Sequence, residues 1–299
     1  MRSSLVSVCI PAYNADSFVA QALDSVKRQS IGSWEVIVTE DGTKDGTEDI
    51  VRKFSTTVSQ RVVYNRHEAN QGLPYARNTG ITASKGEWVA FLDADDFWQP
   101  EHLELLISCA EKNACDMAFS GHTRLEETTG LLSEGKCPTT KHLQHLAEAV
   151  FCSWFLLKPS SVLIKRDAFA RFGPISTEFP HANDTEYWLR ILRGGGHIAY
   201  SGVASCICRD HPGSMSKRTS ELFEDNARLC ERYSDWSAIP RRVRRSRPAM
   251  FYRLASRLVE TNDSPKALSL LKESLRADPF NVKTLLSFPR FLMKNRVRL

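Results

Sequence analysis

Three carboxylates, Asp93, Asp95 and Asp96, stand within four positions in the stretch FLDADDFWQP, directly after the apolar run 88–92. Like charges that close raise one another's pKa, so a cation is expected to hold them. Aspartate oxygens suit hard divalent ions, Mg²⁺ or Mn²⁺, which keep positions open for substrate phosphates. The same stretch also reads as a solvated acidic turn in which Asp95 or Asp96 caps the next helix. A second acidic turn, at Glu40 and Asp41, lies in EVIVTEDGTKDGT. A carboxylate there can accept from a nucleobase N–H or a ribose hydroxyl. The competing reading is a turn whose Asp side chains bond their own backbone, which suits Asp45-Gly46. In NQGLPYARNTGI, Arg77 lies on a helix that begins just after a loop. It can face a nucleotide, pair with a carboxylate of the body, or sit on the helix surface.

These groups need elements to position them. Apolar runs at 5–10, 35–39, 61–64, 88–92 and 116–120 read as strands. Between them, helical spacing is expected over 16–29, 47–54, 74–84 and 101–113. Pro74 near the start and Gly86 beyond the end frame the third helix. This βαβα rhythm predicts a mainly parallel sheet covered by helices. Ligands sit at the carboxyl ends of such strands, where both acidic turns fall. Further on, helices are expected at 141–151 and 184–193, with strands at 161–164, 197–200 and 204–208. The last 80 or so residues read as helical throughout.

The 299 residues are 42% apolar and 25% charged, ordinary for a globular protein, and long disorder is not expected. The longest apolar stretch, 149–157, falls far short of the ~20 residues that span a bilayer. The start, MRSSLVSVCIP, lacks the apolar core and cleavage site of a secretory leader. A cytoplasmic protein is expected, with peripheral contact at the inner face of the cell membrane as an open alternative. The eight scattered cysteines show no zinc spacing and read as buried thiols. The net charge of +5 hides a division: residues 1–240 carry 25 basic and 31 acidic groups, and 241–299 carry fifteen and four. A basic tail suits anionic lipid, and no nucleic-acid partner is expected.

Taken together, VSVCIPAYN, the Glu40–Asp41 turn, ARNTGI and FLDADD resemble family 2 glycosyltransferases in order and spacing. PSSVLIKRDAF, HANDTEYWLRIL and CRDHPGSMS extend the likeness over roughly residues 4–218. The resemblance implies a GT-A fold, α/β with a mixed, mainly parallel sheet flanked by helices. It implies a catalytic domain over 1–218, split near residue 120 into nucleotide-sugar and acceptor halves. Residues 219–299 would be a helical extension, basic from 241. It further implies that Pro11, Tyr13 and Asn14 shape the nucleotide pocket, Asp41 binds the base and Arg77 helps hold the nucleotide. Asp93 and Asp95 would hold Mn²⁺ or Mg²⁺, Asp93 also nearing the ribose. His211 would touch the diphosphate or the metal, Asp96 would support the turn, and Asp184 would be the general base. Read without the motifs, Asp184 is an N-cap and His211 a loop histidine.

The implied reaction is bacterial in type. It moves a sugar from a nucleotide donor, UDP-linked, to a hydroxyl of a surface glycan or lipid-linked glycan, with inversion. Two departures bear on it. Glu40 stands where Asp is usual, adding a methylene beside the base pocket. Asn183 replaces an acidic neighbour of Asp184, which should leave Asp184 easier to ionise. One rival, a sugar-phosphate nucleotidyltransferase, would carry a Gly-rich loop near the first strand, and IPAYNADSF has no Gly. A second rival is a non-catalytic nucleotide-sugar-binding or scaffold protein, against which Asp95 and Asp184 both weigh. Within the tail, RRVRRSR and two amphipathic stretches in 266–288 allow packing on the body, contact with an anionic membrane, or a partner.

Overall fold

The structure is a computed structural model and describes residues 5–214 and 219–295. The chain divides into two compact units, Met1–His145 with Ser153–His211, and Leu146–Cys152 with Pro212–Leu299.

The first unit opens with strands β1 (Val6–Ala12), β2 (Trp34–Glu40), β3 (Val62–Arg66) and β4 (Trp88–Phe91), interleaved with helices α1 (Val19–Lys27), α2 (Thr47–Ser55) and α3 (Leu73–Ala83). They pair in parallel in the order β3-β2-β1-β4. β1 and β2 are buried along their whole length, which is why both read as continuous apolar runs. Val6, Val8 and Ile10 point with Val36 and Val38 into one core, against Val19, Leu23 and Val26 of α1. α3 covers the other face, where a Cβ on Gly80 would lie 3.2 Å from Cys9. The missing side chain lets helix and strand approach closely.

The sheet continues as β8-β6-β9-β5, from β5 (Phe97–Trp98), β6 (Met117–Glu126), β8 (Val162–Lys165) and β9 (Ile198–Asp210), while β7 (Leu132–Glu134) pairs with β6. α4 (His102–Asn113), α5 (Thr140–Gln144), α7 (Ala168–Phe172) and α8 (Asn183–Arg193) complete this unit. β4 and β6 are both antiparallel to β8, and β6 runs parallel to β9. The two strands expected at 197–200 and 204–208 are one strand. Gly202, with φ of +83°, marks the irregularity that looked like a break, and the pairing register shifts at Gly121. β6 outruns its expected end because β7 and the far half of β9 continue the ladder.

The helix expected over 141–151 is also corrected. It is two helices, α5 and α6 (Leu146–Phe151), broken at His145, and α6 belongs to the second unit. That unit otherwise holds α9 (Thr219–Arg232), α10 (Arg241–Val259), α11 (Ser264–Ala277) and α12 (Val282–Asn295). All eight cysteines are free thiols, and only Cys137 is not fully buried. Among the described residues no helix is long and apolar enough to cross a membrane.

Candidate active site

β4 delivers the three aspartates. Asp96 N donates to Asp93 O at 3.0 Å, so the chain turns tightly between β4 and β5. β5 then pairs with Cys206 and Ile207 of β9, which clamps the turn from its far side. Ser160, just before β8, ties the turn from below. Asp93 N donates to Ser160 Oγ at 3.0 Å, and that hydroxyl donates to Asp96 Oδ2 at 2.5 Å. Arg209 N donates to Asp96 Oδ1 at 2.9 Å. Asp96 is buried and pushed up to about 7, first by burial and then by the charges of Asp95 and Asp93. It supports the turn rather than facing a ligand.

The groups that meet this charge come from three segments. Arg77 of α3 is 2% exposed; it donates from Nη2 to Asp93 Oδ1 at 2.9 Å and from Nη1 to Asn183 Oδ1 at 2.7 Å. Its guanidinium also lies over Phe91, 5.7 Å from the ring centre. Arg77 therefore joins the Asp-x-Asp turn to the start of α8. His211, beyond β9, meets Asp95, Nε2 to Oδ2 at 3.1 Å. Its ring rests on Phe18 at 4.7 Å between centres. Burial raises the Asp95 carboxyl and Asp93 adds to the rise, while the hydrogen bond to His211 opposes it. Lys158 adds positive potential: burial works against its charge, but Cys208, Asp96, Asp184 and Asp93 more than restore it.

Asp184 is the second residue of α8, whose N-cap is Ala182, so the plain N-cap reading does not hold. Its Oδ1 accepts from Thr185 N at 2.6 Å. Burial raises its carboxyl above the ordinary range, although Arg77, Thr185 and Lys158 pull down and Asp93 pushes further up. Asn183 does remove a neighbouring charge, but burial outweighs that relief. Its amide instead receives Arg77 and donates to Pro180 O at 2.8 Å.

The other expected ligands gather at the carboxyl ends of β1 and β2. Asp41 N donates to Ala12 O at 2.8 Å, which brings Pro11, Tyr13 and Asn14 beside the second acidic turn. Tyr13 is 54% exposed and Asn14 holds a left-handed φ of 49°. Asp41 is buried; Oδ1 accepts from Gln71 N at 3.0 Å and meets His67 Nδ1 at 2.7 Å, and Oδ2 accepts from Gly72 N at 2.7 Å. It thus fixes the loop that starts α3. Gly42, next in line with φ of +79°, has no room for a Cβ, which would lie 2.3 Å from the backbone of Ala69 and Asn70. The extra methylene of Glu40 is spent inside: its carboxylate is buried, taking the Tyr64 hydroxyl of β3 and that of Thr43. Asp45 Oδ1 accepts from Thr47 N at 3.0 Å, as the backbone-bonding turn requires.

Sequence reading missed Ser160 and Arg209. Arg209 donates to Asp95 O at 3.0 Å and Glu127 Oε1 at 3.2 Å, pairs with Gln21 Oε1, and lies between the rings of Phe18 and Phe97. The only signal for either was adjacency, Ser160 within PSSVLIKRDAF and Arg209 two residues before His211. Ser160→Ala should cost about 1–3 kcal/mol, because Asp96 is then buried without one of its donors. Thermal unfolding checks this, and an unchanged melting temperature would remove Ser160 from the support.

Whether the site fits Mn²⁺ or Mg²⁺ rests on its donors. Asp95 and His211 offer a carboxylate oxygen and an imidazole nitrogen side by side and incompletely buried. Such ions are typically held by one or two carboxylates, with substrate phosphates completing the shell. The set fits. Asp96, Cys206 and Cys208 also bring ligand atoms within 4.8 Å of one another. Both Asp96 oxygens already accept, however, and the two thiols lie in the apolar core, so that group is packing beneath the turn.

The model of glycosyl transferase family 2 matches residues 7–169, more than half of the chain. This chain belongs to that family. It is 29% identical over 226 residues to the uncharacterized glycosyltransferase EpsJ of Bacillus subtilis (strain 168). That match covers 71% of this chain and 63% of the relative's length. It is 28% identical over 240 residues to an Escherichia coli protein, UDP-Glc:alpha-D-GlcNAc-diphosphoundecaprenol beta-1,3-glucosyltransferase WfgD, covering 80% of this chain and 89% of that one. Among solved structures, S. aureus TarS 1–349 in complex with UDP-GlcNAc superposes with a TM-score of 0.69 at 18% identity, covering 91% of this chain and 81% of that one. Mannosyltransferase PcManGT from Pyrobaculum calidifontis, in complex with GDP-Man and Mn²⁺, gives 0.62 at 16%, covering 97% and 80%. The enzyme therefore has the GT-A fold of a glycosyltransferase, and a non-catalytic or nucleotidyltransferase reading is not favoured.

Proposed function

We propose that this glycosyltransferase moves a sugar from a UDP-linked donor to a hydroxyl of a glycan or lipid-linked glycan in a single inverting displacement. The observation that carries the reading is Arg77, which donates to Asp93 beside Asp95 and to Asn183, the residue next to Asp184. It sets a base against the place where a nucleotide diphosphate would leave. Asp184 would take the acceptor's hydroxyl proton as that oxygen attacks the anomeric carbon. A group with a raised pKa is the stronger base for this task. One carboxylate and one displacement invert the anomeric centre. When bound at Asp95 and His211, with Asp93 beside them, Mn²⁺ or Mg²⁺ would supply Lewis-acid stabilisation of the departing diphosphate.

The parts assigned to the remaining residues follow their geometry. Asp41 would bind the base, next to the loop that it fixes through Gln71 and Gly72. Pro11, Tyr13 and Asn14 would border the nucleotide, with the exposed Tyr13 ring free to stack on it. Arg77 would act from beneath, by holding Asp93 and Asn183 in place. WfgD, named for a UDP-Glc donor and a diphosphoundecaprenol acceptor, and TarS in complex with UDP-GlcNAc support a UDP donor and a lipid-diphosphate-linked acceptor. Such an acceptor would put the enzyme at the inner face of the cell membrane.

The test is a transfer assay over a panel of UDP- and GDP-sugars with Mn²⁺, Mg²⁺ or EDTA, using a synthetic lipid-diphosphate monosaccharide as acceptor. A UDP-sugar should be consumed in a metal-dependent way, and NMR of the product should show the opposite anomeric configuration from the donor. Retained configuration, or full activity in EDTA, would defeat the mechanism.

A further inference from the structure

The last helix carries its apolar residues on two opposite faces. On one, Phe291 packs with Ala267 and Leu271 of α11 in a small buried core, and Phe288 packs against it. Thr284, on the same side, shares a 2.8 Å hydrogen bond with Ser274, whose hydroxyl also bonds Ala249 O at 2.6 Å. These contacts set which side of α12 faces inward. The opposite face should then be polar, as on an ordinary surface helix. It is not. Val282, Leu286 and Met293 are 65%, 57% and 74% exposed, with Leu285 at 46% and Phe280 just ahead of the helix at 80%. At 3.6 residues per turn, Val282, Leu286, Pro289 and Met293 fall within an arc of about 60°. Lys283 and Arg290, both exposed, line one shoulder of it.

Charge says what covers this face. Residues 279–299 contain five Lys or Arg and no Asp or Glu. A second copy of the chain laid on the same face would bring the basic shoulders together with no carboxylate on α12 to receive them. An anionic bilayer accepts both features at once: apolar side chains enter the boundary between headgroups and acyl chains, and basic side chains meet lipid phosphates. The arginine run 241–247 is a weaker candidate than its sequence implies. Arg244 is bonded to the carbonyls of Ile239 and Ser234, Arg245 faces Asp278 at 3.8 Å, and Arg247 lies on the Phe251 ring at 5.3 Å.

We propose that the outward face of α12, formed by Val282, Leu286 and Met293 with Lys283 and Arg290, docks the enzyme peripherally on an anionic phospholipid surface. The proposal does not depend on the acceptor assigned above, because its readout is lipid binding and not transfer. The experiment is flotation of the full chain with vesicles of phosphatidylcholine alone and of phosphatidylcholine mixed with phosphatidylglycerol. Wild type should float with the mixed vesicles only, and added salt should release it.

Lys283→Gln with Arg290→Gln should weaken binding roughly thirtyfold, from about fivefold per basic residue near an anionic surface. Leu286→Ser with Met293→Ser should abolish flotation at a nearly unchanged melting temperature, because both side chains are mostly exposed. Arg241→Gln with Arg242→Gln should have a smaller effect than the α12 pair. No flotation of wild type, or full flotation of both α12 double variants, would overturn the proposal. So would a wild-type oligomer that Leu286→Ser with Met293→Ser converts to monomer, since the face would then be a self-interface.

Discussion

Asp184→Asn should lower sugar transfer by roughly 10²–10⁴-fold, the usual contribution of a positioned general base, and leave donor binding near wild type. Asn keeps an oxygen for the Thr185 N–H that Asp184 now accepts, so the start of α8 should hold. What is lost is a group able to take a proton. The pH profile gives a second reading. Burial raises the Asp184 carboxyl in the folded protein, and its base form exists only above that raised pKa. Transfer should therefore fall tenfold per pH unit on an acidic limb lying above the ordinary carboxylate range. The stability sign is the reverse. The native state holds this proton more tightly than the unfolded chain, so the group's contribution to stability decreases as pH rises from the ordinary value through the raised one. At neutral pH the Asn variant should melt no lower than wild type, having exchanged a partly buried charge for an amide. Steady-state kinetics, nucleotide titration and thermal unfolding check the three parts. Wild-type transfer in the variant would sink the assignment, and a joint loss of donor binding and melting temperature would make Asp184 structural.

Asp95→Ala should show the complementary pattern. Loss of an outer-shell partner commonly costs about 10–100-fold in metal affinity, and removing a direct ligand should exceed that. UDP titrated into wild type should bind more tightly with Mn²⁺ than in EDTA. In the variant the two titrations should coincide at the weaker value. The protein should remain folded, because the backbone of the turn is held by Ser160, Asp96 and Arg209 and not by the Asp95 side chain. A variant with undiminished metal-dependent UDP binding would remove Asp95 from the ligand set.

The contrast between Asp95 and Asp96 shows how far adjacent identical residues can diverge. Asp95 is partly exposed, against His211. Asp96 has turned inward, both oxygens taken by Ser160 and Arg209. Nothing in FLDADD distinguishes them. Their difference lies in groups 64 and 113 residues away along the chain. Arg77 makes the same point: ARNTGI places it on a helix, but only the packing of α3 on the sheet turns it inward to Asp93 and Asn183.

By itself, the sequence determined the four parallel strands and the four helices of the first 113 residues, though not the short β5, and the placing of both acidic turns at strand ends. Those properties depend on neighbours a few residues apart, where apolar period, Gly and Pro act directly on the backbone. The tertiary structure alone decided the order β8-β6-β9-β5, the single long β9, and the split between α5 and α6. It also decided which carboxylates are paired, buried or left partly exposed. Desolvation and hydrogen bonding act between residues that only the assembled sheet brings within about 3 Å of one another, and no periodicity along the chain encodes that closeness.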